Sequence, residues 1–240
     1  MIQIHKSLSV ALNREVTISV LVPQGDGPFP VLYMHDGHNL FDKATSSYNQ
    51  IWQVEEAFAY DIASVIVVGI DAPLDMRRLD ELCPFVNQYS KGLGEQYLQF
   101  ILETKAMIDA TYPTKPEREY TGMMGASMGG FISTVALALH SDVFSKFGFL
   151  SSSYWIDERI FGLLEKAPSS SSKVYMDVGT NEAGIGDSLQ YLESNRKMKA
   201  VLEAKGQVVN YHEFDEAEHN EREWAVRLPL ILRYLFGGQG

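Results

Sequence analysis

Apolar and polar positions along this chain repeat with two periods, one of strands and one of helices. Over residues 15–23 they alternate singly, like one strand of an antiparallel entry hairpin, and Gly25-Asp26-Gly27-Pro28 then supplies a turn. Short runs rich in β-branched and aromatic residues follow at 31–34, 64–70, 119–124, 147–151, 173–178 and 207–214, each predicting a buried strand. Between several of them the period lengthens to that of a helix. Over 95–110, Leu98, Ile101, Leu102 and Ile108 recur on one face. Over 187–204, Leu189, Leu192, Val201 and Leu202 form the expected inner stripe, and Gly206 is placed to end that helix. A last helix is expected from Asn220, an N-cap with Glu223 three residues on, and Pro229 should bend or end its first part. The serine run 169–172 reads as a loop, and no internal repeat is present. This alternation predicts the α/β class: a mostly parallel sheet with helices on both faces and an antiparallel N-terminal hairpin, in a single domain over 1–240.

Composition narrows the partners. The chain has 240 residues, 45% of them hydrophobic, enough for a core that can fix an active site. Lysine and arginine number 20 against 31 acidic residues, and the net charge of -11 is spread along the chain. Such a surface has no electrostatic attraction for nucleic acid or anionic membranes, so a weakly charged small molecule is the expected partner. Cys83 is the single cysteine, which excludes an internal disulfide and fits a reducing compartment. No segment reaches the roughly 18 apolar residues of a membrane span, and the first residues lack a signal-like apolar run. Cytoplasmic residence is the expectation. The oligomeric state is not legible.

The strongest chemical signal is Gly125-Ala126-Ser127-Met128-Gly129, between a strand pattern and a helix pattern over 128–140. A serine in a strained strand-to-helix turn exposes its hydroxyl, and glycines two residues to either side remove colliding side chains. Ser127 is therefore the expected nucleophile. It needs a base, and in this topology an acid and then a histidine follow the serine. His219, in the polar stretch 216–220 after the last strand, fits the base. His212 falls inside a strand pattern, His140 at a helix end and His5 in a strand, all read as structural. Glu182, just past the strand 173–178, is preferred as the acid, with Asp177, Asp187 and Asp215 left open; Asp187 also reads as the start of a helix.

Acyl transfer also requires donors for the oxyanion. The N–H of Met128 and that of His38, beside the turn-forming Gly37, are nominated. His35, His38 and Asp42 would suit a metal ion as ligands, but bracing of the loop is the commoner role of such residues. Trp52, Tyr154 and Trp155 are candidates to stack on a sugar ring, with core packing as the alternative.

The chain resembles the putative esterase family of α/β-hydrolases, relatives of esterase D, feruloyl esterases and enterochelin esterases. The resemblance runs from Tyr33-Met34-His35-Asp36-Gly37-His38-Asn39-Leu40-Phe41-Asp42 through Ile108-Asp109-Ala110-Thr111-Tyr112 and Gly125 to Gly130, and ends at His219-Asn220-Glu221. It implies ester hydrolysis without a cofactor, with Ser127, Glu182 and His219 as triad and the N–H groups of His38 and Met128 as oxyanion donors. The stretch 77–85 also resembles the family, although Leu82 and Cys83 stand where Tyr-Ser is usual. A short-chain or carbohydrate-linked acyl ester is the expected substrate. Acyl transfer to another alcohol, or ligand binding without catalysis on the same fold, are the alternative readings.

Overall fold

The computed structural model describes residues 2–58, 64–182 and 186–237. Among these residues eight strands form one sheet: β1 (Ile2–Ser9), β2 (Arg14–Leu21), β3 (Val31–His35), β4 (Ile66–Ile70), β5 (Thr121–Ala126), β6 (Lys146–Leu150), β7 (Lys173–Asn181) and β8 (Val208–Glu218). Their spatial order is β1-β2-β4-β3-β5-β6-β7-β8. The pairs β1/β2 and β2/β4 are antiparallel and the rest parallel, which is the expected mixed sheet with an N-terminal hairpin. Helices are α1 (Val54–Ala57), α2 (Arg77–Glu81), α3 (Gly94–Thr111), α4 (Met128–Leu139), α5 (Arg159–Lys166), α6 (Ser188–Ala204) and α7 (Glu221–Phe236).

The central strands read as unbroken apolar runs because both of their faces are buried. Val31 and Tyr33 of β3 face one core, with Ile101 of α3, Phe131 of α4 and Met198 of α6. Leu32 and Met34, the alternate residues, face the other, with Trp224, Leu228 and Ile231 of α7. Chain order reverses around β3, which has β4 on one side and β5 on the other. Crevices open beyond the carboxyl ends of strands at such a reversal, and a cavity lies there.

Three expectations need correction. The inner stripe of α6 is Tyr191, Asn195, Met198 and Leu202, while Leu189 is 57% exposed. Leu202 is buried as expected and Val201 packs against the core, but a polar residue, Asn195, also occupies the stripe because it makes hydrogen bonds there, which apolar periodicity alone does not register. Pro229 does not end the last helix. α7 runs through it, held on both sides by buried Trp224, Leu228, Ile231, Leu232 and Leu235. Finally, β8 extends to Glu218 and β7 to Asn181, so His219 follows a strand end directly instead of a loop. These extensions are polar and pair near the sheet edge, where hydrophobicity gives no sign of them.

Candidate active site

Ser127 sits between β5 and α4 with φ 59 and ψ −121, a strained conformation for a residue with a side chain. Its backbone is pinned on both sides: its N–H donates to the Leu150 carbonyl at 2.9 Å and its carbonyl accepts from Phe131 at 3.1 Å. The flanking glycines are required by space. A Cβ on Gly125 would lie 2.8 Å from the Gly129 carbonyl carbon and 2.9 Å from the His35 ring, and one on Gly130 would lie 2.0 Å from Ser152 Oγ. Phe131 closes the first turn of α4, so the N–H of Met128 has no partner within the helix and belongs to its electropositive end.

Glu182 and His219 arrive at the ends of neighbouring strands. β7 and β8 carry a register shift between Gly179 and Asn181, where a Cβ on Gly179 would lie 2.1 Å from the Ala217 carbonyl oxygen. Glu216 opposite takes φ 56, and its N–H donates to Thr180 Oγ1 at 2.9 Å. Past this irregularity, Glu182 Oε2 meets His219 Nδ1 at 2.5 Å, and Glu182 Oε1 accepts the Gly179 N–H at 2.7 Å. The Glu182 side chain is fully buried. The ring of His219 is boxed by Tyr191 at 4.8 Å and Trp224 at 5.0 Å between centroids. His219 and Ser127 line the same cavity.

The three other carboxylates have different partners. Asp177 is buried against Arg227 at 3.2 Å, and burial raises its carboxyl to about 6. Asp187 caps α6 in a reciprocal pair with Gln190, and Asp215 accepts from Thr180.

After β3, Asp36 adopts φ 54 and starts a short 3-10 turn over Gly37–Asn39. Asn39 N–H is taken by the Asp36 carbonyl, which leaves the N–H of His38 at the turn's start without an acceptor inside it. Arg78 of α2 holds the Asp36 carboxylate with two bonds, 2.6 and 2.7 Å, and lines the cavity. α2 is itself fastened to the sheet by Arg14 on Glu81, two bonds of 2.7 Å. Nothing in the local sequence announces this Arg78–Asp36 clamp, although Arg78 lies in the stretch that resembles the family.

The histidines suggested as metal ligands have protein partners. His35 is buried, its ring nitrogens 2.8 Å from Tyr97 OH and 3.0 Å from Ser133 Oγ, and burial lowers its pKa to about 4. His38 Nε2 meets Ser47 Oγ at 3.0 Å, and Asp42 accepts from the Ala44 N–H. Among the described residues no three His, Cys, Asp or Glu side chains are grouped to hold a metal. His212 packs on Tyr175 and Phe214 within β8, and His5 bonds Tyr112.

The cavity measures about 570 Å³ and is walled by Tyr48, Gln50, Trp52, Leu74, Asp75 and Arg78 besides the groups above. Of the three aromatics suggested for stacking, Trp52 lines it. Tyr154 lies in the core with its hydroxyl on Thr134, and Trp155 packs edge-on against Tyr191. Tyr48, 72% exposed, was not singled out by sequence. Among the described residues no helix is long and apolar enough to cross a membrane.

Residues 9–235 match the model of the family described as Putative esterase. YbbA of Bacillus subtilis, an uncharacterized protein, is 29% identical over 192 residues, 75% of this chain and 73% of its own. The crystal structure of the BES protein from Bacillus cereus superposes with a TM-score of 0.78 at 18% identity, covering 98% of this chain and 94% of that one. That of an IroE-like serine hydrolase from Shewanella oneidensis gives 0.77 at 21% identity, covering 98% and 80%. These likenesses establish the α/β-hydrolase fold. The chain belongs to the Putative esterase family and is a carboxylic ester hydrolase that acts on small-molecule esters.

Proposed function

We propose that Ser127, His219 and Glu182 form a catalytic triad that hydrolyses esters through an acyl-enzyme on Ser127. The observation that carries this reading is the 2.5 Å contact of Glu182 with Nδ1 of His219, a residue that lines the same cavity as the strained Ser127. With Nδ1 bound to the carboxylate, Nε2 is the nitrogen left to act as base. In acylation His219 takes the Ser127 proton, Oγ bonds to the ester carbon, and the carbonyl electron pair moves onto oxygen. The N–H groups of His38 and Met128 stabilise that oxyanion. Collapse expels the alcohol, protonated by His219. Water, deprotonated by the same ring, then releases the acid. The scheme uses protein groups alone, without a cofactor.

The substrate we assign is a short-chain or carbohydrate-linked acyl ester. Leu74 and Trp52 offer apolar surface to an acyl chain, while Gln50, Asp75 and Arg78 offer hydrogen-bonding groups to a hydroxylated alcohol. A space of this size exceeds what an acetyl group alone requires. A panel of p-nitrophenyl esters of graded chain length, followed by acetylated and feruloylated sugars, tests the assignment. Turnover that is highest on short chains or on the sugar esters supports it; preference for long-chain esters with no turnover of sugar esters overturns it.

A further inference from the structure

Three consecutive serines follow β6, and all are buried. Ser153 touches Ser127 twice: its N–H donates to the Ser127 carbonyl at 3.2 Å, and its hydroxyl lies 3.0 Å from Ser127 Oγ. The Ser153 hydroxyl also lies 3.3 Å from the phenolic oxygen of Tyr191, the residue whose ring packs on His219. Asn195, one turn further along α6, donates to the Ser152 carbonyl at 2.8 Å and the Tyr191 carbonyl at 2.9 Å. The polar residue in the buried stripe of α6 thus fastens that helix to the serine run.

We propose that Tyr191, Ser153 and Ser127 form a one-way chain of hydroxyl donors that ends on the nucleophilic oxygen and stabilises the charge it gains when its proton leaves. The proposal rests on the reading of Ser127 as nucleophile and His219 as base. The direction follows from the chemistry. Ser127 must point its own proton at His219 for attack, so in its contact with Ser153 it is the acceptor. Ser153, having donated its one proton, accepts from Tyr191. Burial raises the Tyr191 phenol above its ordinary pKa, which keeps it a donor.

Ser153 and Tyr191 keep their protons throughout. In acylation the Ser127 proton moves to His219 Nε2 as an Oγ lone pair forms the bond to the ester carbon. In deacylation the bond from that carbon to Oγ breaks, its electron pair stays on Oγ, and the proton returns from His219. Oγ is electron-rich at both moments, and a donor placed on it lowers both barriers. Ser153 and Tyr191 are positioning residues that act through Ser127.

The test measures kcat and KM on one p-nitrophenyl ester for Ser153→Ala, Tyr191→Phe, the double variant and Ser127→Ala, with circular dichroism to confirm folding. Ser153→Ala is expected to lower kcat roughly 10- to 100-fold, the worth of a hydrogen bond to a charged group, with KM within about twofold. Tyr191→Phe, which keeps the ring against His219, should lower kcat about 3- to 10-fold. The double variant should be no slower than Ser153→Ala, because the proposed chain runs from Tyr191 to Ser127 by way of the Ser153 hydroxyl. Unchanged kcat in Ser153→Ala, or losses that multiply in the double variant, overturn the proposal. If Ser153→Ala does not fold, Tyr191→Phe decides, and kcat equal to wild type overturns it. Ser127→Ala separates the two levels of the argument. Activity lost there but intact in Ser153→Ala removes the donor chain alone, whereas activity kept in Ser127→Ala removes the nucleophile on which it rests.

Discussion

Glu182 holds His219 Nδ1 at 2.5 Å with one carboxylate oxygen, while its other oxygen is held at 2.7 Å by the Gly179 N–H. The carboxylate is thus fixed by backbone on the strand that also delivers it, and the ring orientation of His219 follows. Asp187, five residues on, spends its carboxylate on capping α6.

Glu182→Gln is therefore expected to lower kcat by about three or more orders of magnitude, because an amide keeps the packing but cannot stabilise the imidazolium formed during attack. Asp187→Asn should stay within about threefold of wild type, since asparagine caps a helix nearly as well. Steady-state kinetics of both variants on one ester decide the assignment. A large loss in Asp187→Asn with Glu182→Gln near wild type would reverse it.

The glycines around Ser127 predict two different penalties. A methyl at Gly125 meets backbone, which has no way to yield, whereas one at Gly130 meets the rotatable hydroxyl of Ser152. Gly125→Ala should destabilise the protein by about 1–3 kcal/mol and abolish most activity. Gly130→Ala should be milder, and Ser152→Ala, which removes the colliding oxygen, should restore much of what it loses. Thermal unfolding and kcat for the three variants test this; equal losses at both glycines, with no rescue, contradict it.

A pH effect should arise at the end of β4. Burial raises the Asp71 carboxyl to about 6, with Arg14 opposing the rise and Asp36 adding to it. The ordinary value in an unfolded chain is about 3.9. The folded state therefore holds this proton more tightly, and stability falls as pH climbs from about 4 through 6. Asp71→Asn removes that loss. Its melting temperature should match wild type near pH 4 and exceed it at pH 8; a constant offset across the range would rule out the titration of Asp71 as the cause.

Central strands were legible in sequence because burial on both faces makes them continuous apolar runs. Ser127, His219 and Glu182 are nominated from their order along the chain and their places after strands; the structure adds the Glu182–His219 contact and the cavity that Ser127 and His219 share. What escaped was set by distant contacts. Asn195 reads as a polar surface residue until its bond to Ser152 is seen, and Leu189, read as part of the inner stripe of α6, is exposed. The ends of β7 and β8 are polar, and the irregularity that aims Glu182 and His219 at each other depends on Gly179 meeting Ala217 across strands. Arg78 and Asp36 lie 42 residues apart, and a pairing across that distance leaves no local pattern. Tyr154 was readable only as an aromatic, and its burial depends on Phe131 and Phe161 from two helices.

The central claim is that Ser127 carries the acyl group, and covalent labelling tests it most directly. The protein is incubated with diethyl p-nitrophenyl phosphate, which a triad serine attacks as it would an ester, and the adduct is located by intact mass and peptide mapping. The account predicts one diethylphosphoryl group per chain, on Ser127, appearing in step with the loss of esterase activity. An adduct on another residue, or full activity in protein labelled at Ser127, would contradict it.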